Sequence, residues 1–207
     1  MARVEKTDKN RRQLLASMLA AGAAAPVLAQ EQGDAPCNSL SWAVAWKQSA
    51  AEYFALCHQA YNLARLRVDQ KLAQRKTGDR RLAVITDVDD TILHARSYWG
   101  HLINEDKEFF DDAIWDEWLP HNLVTAAPGA IDFFTYCDEQ DVEVFYVTNR
   151  DQGERTFEYA LAQLRHLEFP FADESHLYVF RESSNKTPAR VEIEERFDIA
   201  VMLGDNL

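Results

Sequence analysis

Cysteine is scarce in this 207-residue chain: Cys37, Cys57 and Cys137 make an odd count with no zinc-type spacing. That excludes a disulfide framework and a zinc-built fold, while an oxidising compartment could still join Cys37 to Cys57. Cys137 sits in an apolar helical pattern and is expected as a buried thiol. Basic residues are also few, 22 Lys and Arg against 34 Asp and Glu, for a formal charge of −12. The deficit is uneven: the first 29 residues hold five basic and two acidic side chains, so the remainder carries −15. A body that acidic lacks the basic stripe that a nucleic acid polymer requires. It can still take a small phosphate ester where cations gather locally. Long hydrophobic runs are missing too. The Ala-rich stretch over residues 14–25 is shorter than the roughly 20 residues of a membrane-spanning helix.

What the chain does have is 47% apolar residues, enough for one medium domain with a real core. Residues 1–29 read as an export signal. Arg3, Lys6, Lys9, Arg11 and Arg12 precede the Ala-rich run, and Val27-Leu28-Ala29 offers small residues for cleavage before Gln30. Arg11-Arg12 ahead of Gln13-Leu14-Leu15 has a twin-arginine look; an ordinary Sec signal or a basic amphipathic helix would share the pattern. Export predicts a periplasmic or cell-envelope location. Asp34-Ala35-Pro36 before Cys37 is a poor lipidation box, so membrane association through a lipid is not expected.

Residues 30–80 form an N-terminal helical segment. Within it, 39–76 reads as one long helix or two stacked ones, with Trp42, Trp46, Ser49, Tyr53, Leu56, Ala60, Leu63 and Leu66 on a core-facing stripe. Residues 81–207 form the main body. Leu82-Ala83-Val84-Ile85-Thr86 is too short for a globular helix and reads as a buried parallel strand that delivers Asp87, Asp89 and Thr91 at its end. An insertion over 92–127, rich in Tyr98, Trp99, Phe109, Phe110, Trp115 and Trp118, follows. Pro128-Gly129 then opens an amphipathic helix. Further strands fall at 142–147, 176–180 and 199–203, separated by helices. Such alternation predicts an α/β class, a Rossmann-like parallel sheet with a helical cap insertion. Ligands bind beyond the carboxyl ends of such strands. Asp87, Asp89, Thr91, Thr148, Asn149, Lys186 and Asp205 all stand there.

Carboxylates from two strand ends make a hard-oxygen site suited to Mg²⁺. Asp87 can then attack phosphorus, while Asp89 protonates the leaving oxygen and later activates water. Thr148 donates to a phosphate oxygen, and Lys186 supplies positive charge as the transition state develops. Asp90 and Asp116 are expected as solvated or capping groups. An unpaired charge at the end of an apolar run is costly, which singles out Asp87.

Asp87-Val88-Asp89-Asp90-Thr91, Thr148-Asn149-Arg150, Lys186 and Gly204-Asp205-Asn206-Leu207 resemble, in order, the four motifs of the haloacid dehalogenase superfamily. More narrowly, Ala45-Trp46-Lys47-Gln48-Ser49, Trp115-Asp116-Glu117-Trp118 and Pro128-Gly129-Ala130-Ile131-Asp132 resemble the class C acid phosphatases, the outer-membrane lipoprotein 5′-nucleotidase group. The resemblance implies Mg²⁺-dependent hydrolysis of phosphomonoesters, nucleoside 5′-monophosphates among them, through an aspartyl-phosphate. It makes Asp87 the nucleophile and a metal ligand, Asp89 the acid/base and a ligand through its backbone carbonyl, and Asp205 a ligand. It assigns Thr148, Asn149 and Lys186 to the phosphate and Trp115 to the nucleobase as a stacking platform. Three departures stand out. His94-Ala95-Arg96 replaces the family's usual continuation of the first motif. No lipobox is found. The fourth motif stops at Leu207, so a truncated C-terminal part, with an uncovered apolar edge on the fourth strand, is expected. A non-catalytic binding or storage protein, or an inactive remnant, is the competing reading. The intact Asp87 favours the enzyme, and Asp89 favours phosphate esters over carbon–halogen bonds.

Overall fold

The computed structural model describes residues 38–205. The export segment, Cys37 with its pairing, and Asn206-Leu207 lie outside them. In chain order the elements are α1 (Leu40–Ser49), α2 (Ala51–Gln74), β1 (Leu82–Thr86), β2 (Leu93–His94), α3 (Arg96–Asn104), α4 (Asp112–Trp118), a 3₁₀ turn (Leu119–His121), β3 (Thr125–Ala126), α5 (Ala130–Glu139), β4 (Glu143–Asn149), α6 (Thr156–His166), β5 (Leu177–Phe180), α7 (Thr187–Arg196) and β6 (Asp198–Leu203). Four strands build a parallel sheet in the order β5-β4-β1-β6. β1 is buried at all five positions because it has a neighbour on each side and helices on both faces. The α/β class and the positions of the four strands agree with the sequence reading.

Alternation along the strands sorts the core into two layers. Val84, Val144, Tyr146 and Leu177 face α2, α5, α6 and the insertion, while Ala83, Ile85, Phe145 and Val147 face Ala189, Ile193 and Phe197. Phe134 anchors the larger layer. It is fully buried, with Phe133, Phe169 and Tyr146 at ring-centroid distances of 5.1, 5.9 and 6.0 Å. Phe134→Ala is expected to destabilise the fold by about 3–5 kcal/mol, measured by urea denaturation; a loss below about 1 kcal/mol would mean the cavity collapses freely.

The N-terminal stripe differs from its expectation. Trp42, Trp46, Leu56, Leu63 and Leu66 are exposed, α1 buries nothing, and α2 buries Tyr53, Tyr61, Ala64 and Val68. The chain breaks at Ala50, whose ψ of 122° is extended, so one periodicity cannot run through both helices. Within α2, Leu56, Leu63 and Leu66 stand about a quarter-turn or more from the buried stripe. Tyr61 uses its position to donate to the carbonyl of Thr91 at 2.9 Å, which seats α2 behind the loop that follows β1. At the start of α5, Gly129 has φ +84°, and a Cβ there would stand 2.8 Å from His58 Nδ1, so glycine is required.

β2 and β3 pair antiparallel (Leu93 with Ala126, His94 with Thr125) and close the neck of the insertion. Two-residue strands carry no readable periodicity, so neither was expected from the sequence. His94, at this neck, is buried; its Nε2 meets Tyr53 Oη at 2.9 Å. Burial, reinforced by Arg96 and Lys47, pushes its pKa from 6.5 down to about 4. As pH falls through 6.5 the unfolded chain takes up a proton that the folded chain refuses until about 4. Stability is therefore lost progressively across that window, by up to about 3 kcal/mol. In His94→Gln, which keeps a polar partner for Tyr53, thermal midpoints should vary less between these two pH values than in wild type; an unchanged slope contradicts this origin.

Candidate active site

Beyond Thr86 the chain turns tightly. Asp87 N donates to Leu203 O at 2.9 Å and extends the β1–β6 ladder by one bond, while Ile92 N and Leu93 N both donate to Val88 O. Val88 is fully buried and pins the loop, leaving the acids on either side of it to line the cavity beyond the strands. Asp90 adopts a left-handed φ of 53°, which aspartate tolerates. Its carboxylate lies 3.0 Å from Lys47 Nζ of α1. It is thus a partly buried ion pair and not the solvated or capping group expected.

Asp87 Oδ2 is 2.6 Å from Lys186 Nζ, with both side chains largely shielded (20% and 17% exposed). Oδ1 accepts from Val88 N at 2.7 Å. Lys186 comes from the residue just before α7, whose first turn holds Pro188. Asp89 faces β4: Arg150 forks both carboxylate oxygens, Nη2 to Oδ1 at 2.5 Å and Nε to Oδ2 at 2.6 Å, and Thr148 Oγ1 donates to Oδ2 at 3.1 Å. Asn149 Nδ2 donates to the carbonyls of Phe180 and Ser183, both at 2.8 Å, and so ties β4 to the loop after β5. Asp205 donates its backbone N–H to Thr91 Oγ1 at 3.0 Å and leaves its carboxylate exposed.

Asp87, Asp89, Thr148, Asn149, Lys186 and Asp205 all line one cavity of about 490 Å³. A second cavity, about 380 Å³, shares Asp89, Asp90 and Asn149 with the first and extends past Arg150 under the insertion to Trp99, Phe110, Asp112, Trp115 and Arg181. Trp115 lines it but is only 8% exposed. Its ring lies on Trp118 at 5.3 Å and 25°, and Tyr98 meets it edge-on at 4.9 Å. Phe110, 48% exposed, is the more open aromatic of that wall.

Among the described residues no three His, Cys, Asp or Glu side chains close into a metal-ligand cluster. Four carboxylates nonetheless line the larger cavity; Asp89 is engaged by Arg150 and Asp90 by Lys47, which leaves Asp87 and Asp205 as the side-chain donors. Two carboxylates with water and a substrate phosphate completing the shell suit a small hard cation, so the residues present fit one.

Over residues 3–207 the chain matches the family described as HAD superfamily, subfamily IIIB (Acid phosphatase). It belongs to that family. The class C acid phosphatase from Bacillus anthracis with tungstate bound is similar at 26% identity and a TM-score of 0.75, over 83% of this chain and 70% of that one. Another structure of the class C acid phosphatase from Bacillus anthracis is similar at 26% identity and a TM-score of 0.71, over 79% of this chain and 66% of that one. Family and neighbours alike make the chain a phosphomonoester hydrolase. In this subfamily IIIB acid phosphatase Arg150 is a participant not expected from the sequence. The available signal was its place directly after an apolar strand, where a buried guanidinium must find a partner.

Proposed function

We propose that the chain is an exported, Mg²⁺-dependent acid phosphatase that turns over phosphomonoesters through an aspartyl-phosphate on Asp87. The observation that carries this reading is the 2.6 Å contact between Asp87 and Lys186 inside a cavity also lined by Asp89, Thr148 and Asp205. An Asp87 oxygen bonds to phosphorus as the phosphorus–oxygen bond to the leaving group breaks. The leaving oxygen takes a proton from the Asp89 carboxyl. Water then attacks the phosphorus, returns a proton to Asp89 and frees Asp87 and inorganic phosphate. Lys186 balances the charge that builds on the phosphoryl oxygens. Thr148 turns its proton from Asp89 to a phosphate oxygen, and Asn149 holds the neighbouring backbone in place for the phosphate. Asp87, the Asp89 carbonyl and Asp205 would hold Mg²⁺, which supplies Lewis-acid neutralisation of the phosphate when bound.

The aromatic second cavity supports a leaving group with a flat ring, such as the base of a nucleoside 5′-monophosphate. Trp115 forms its packed wall and Phe110 its open face. Hydrolysis of p-nitrophenyl phosphate at mildly acidic pH tests the core reading: activity should vanish on treatment with EDTA and return with Mg²⁺. Activity indifferent to the chelator overturns the metal dependence. Phe110→Ala should lower kcat/KM for nucleoside monophosphates by roughly 10-fold, about 1–2 kcal/mol of stacking, while sparing sugar phosphates. Trp115→Ala should show the same selectivity together with a lower thermal midpoint, because it also removes packing.

A further inference from the structure

Arg150 is 95% buried, and only part of its hydrogen-bonding capacity goes to Asp89. Its Nη1 donates to Gln163 Oε1 at 2.7 Å, and Gln163, 1% exposed on α6, passes its own Nε2 to Leu119 O at 3.3 Å. Leu119 opens the 3₁₀ turn directly behind α4, the helix that carries Trp115. The amide can sit only one way round. Flipped, its NH₂ would face the guanidinium and its oxygen the Leu119 carbonyl.

The fork also distinguishes the two oxygens of Asp89. Before substrate binds, when the proton must be loaded, Oδ2 accepts from both Arg150 Nε and Thr148 Oγ1, which fills its lone pairs, whereas Oδ1 accepts only from Arg150 Nη2. Oδ1 therefore keeps one lone-pair direction for a proton, and Asp89 borders both cavities. We propose that Gln163 is a positioning residue for ester cleavage: through Arg150 it holds Asp89 so that Oδ1 is the oxygen that delivers the proton. Through Leu119 it registers that oxygen to the wall against which the leaving group lies. Proton donor and leaving-group pocket then belong to one frame running from the partly exposed Asp89 through the buried Arg150, Gln163 and Leu119. The inference rests on the proposed role of Asp89 and deepens it.

The test is the dependence on leaving group. An ester with a poor leaving group, phenyl phosphate, needs the proton during bond cleavage; 2,4-dinitrophenyl phosphate, with a good one, does not. Gln163→Leu is expected to lower kcat/KM, which reports the steps up to departure of the leaving group, by about 10-fold or more on phenyl phosphate, and to change kcat/KM on the dinitrophenyl ester by less than about 3-fold. Gln163→Glu, which keeps an acceptor for Arg150 but sets an oxygen against the Leu119 carbonyl, should restore only part of the loss. Where the leucine variant is too unstable to assay, Arg150→Lys, which retains the charge but not the fork, should give the same split. Equal losses on both esters, or no loss on either, overturn the inference while leaving Asp87-dependent phosphatase activity standing. A wild type without that activity overturns the underlying reading as well.

Discussion

Asp87→Asn is expected to lower phosphatase turnover by about 10³-fold or more, because the amide that replaces the carboxylate is not a nucleophile toward phosphorus. Asparagine has nearly the same shape and keeps an oxygen for Lys186 or for Val88 N, so the fold should survive. The measurement pairs kcat for p-nitrophenyl phosphate with a thermal melt. A folded variant with wild-type activity contradicts the assignment of Asp87. So does an unfolded one whose loss is restored by stabilising conditions alone.

Lys186→Met should be nearly as damaging, with kcat/KM down by roughly 10²–10³-fold. Its ammonium is held 2.6 Å from Asp87, and it is mostly shielded from water, where a charge acts more strongly than at an open surface. Methionine fills a similar volume, so packing against the start of α7 should persist. The loss should lie mainly in kcat, since the charge matters most as the phosphoryl group is transferred. A variant that raises KM alone would make Lys186 a substrate-binding group and nothing more.

Much of this was legible in the primary structure because the signals were local. Four short apolar runs separated by helical patterns dictate a parallel sheet, and polar residues at the ends of such strands gather at one edge. Asp87, Asp89, Thr148, Lys186 and Asp205 could thus be brought to one cavity without knowing a distance. What escaped depends on contacts between remote segments. Lys47 reaches Asp90 only because α1 lies near the loop after β1. Gln163 is a polar residue in an amphipathic helix until Arg150 and the carbonyl of Leu119 appear on either side of it. The stripe of α2 misled for a different reason: Leu56, Leu63 and Leu66 are apolar but exposed, and the smaller Ala64 and Val68 face the core. Size and hydrophobicity do not mark the buried side when a helix carries apolar residues on more than one. Trp115 likewise reads as an open platform until Trp118 and Tyr98 are seen to cover most of it.

The covalent step is tested most directly by mixing the enzyme with a radiolabelled phosphomonoester, quenching in acid within a turnover and mapping the label by peptide mass. The phosphoryl group should appear on the peptide containing Asp87 and be absent from the Asp87→Asn variant. Label on another residue, or on the same peptide at undiminished yield in the variant, would contradict capture of phosphate by Asp87.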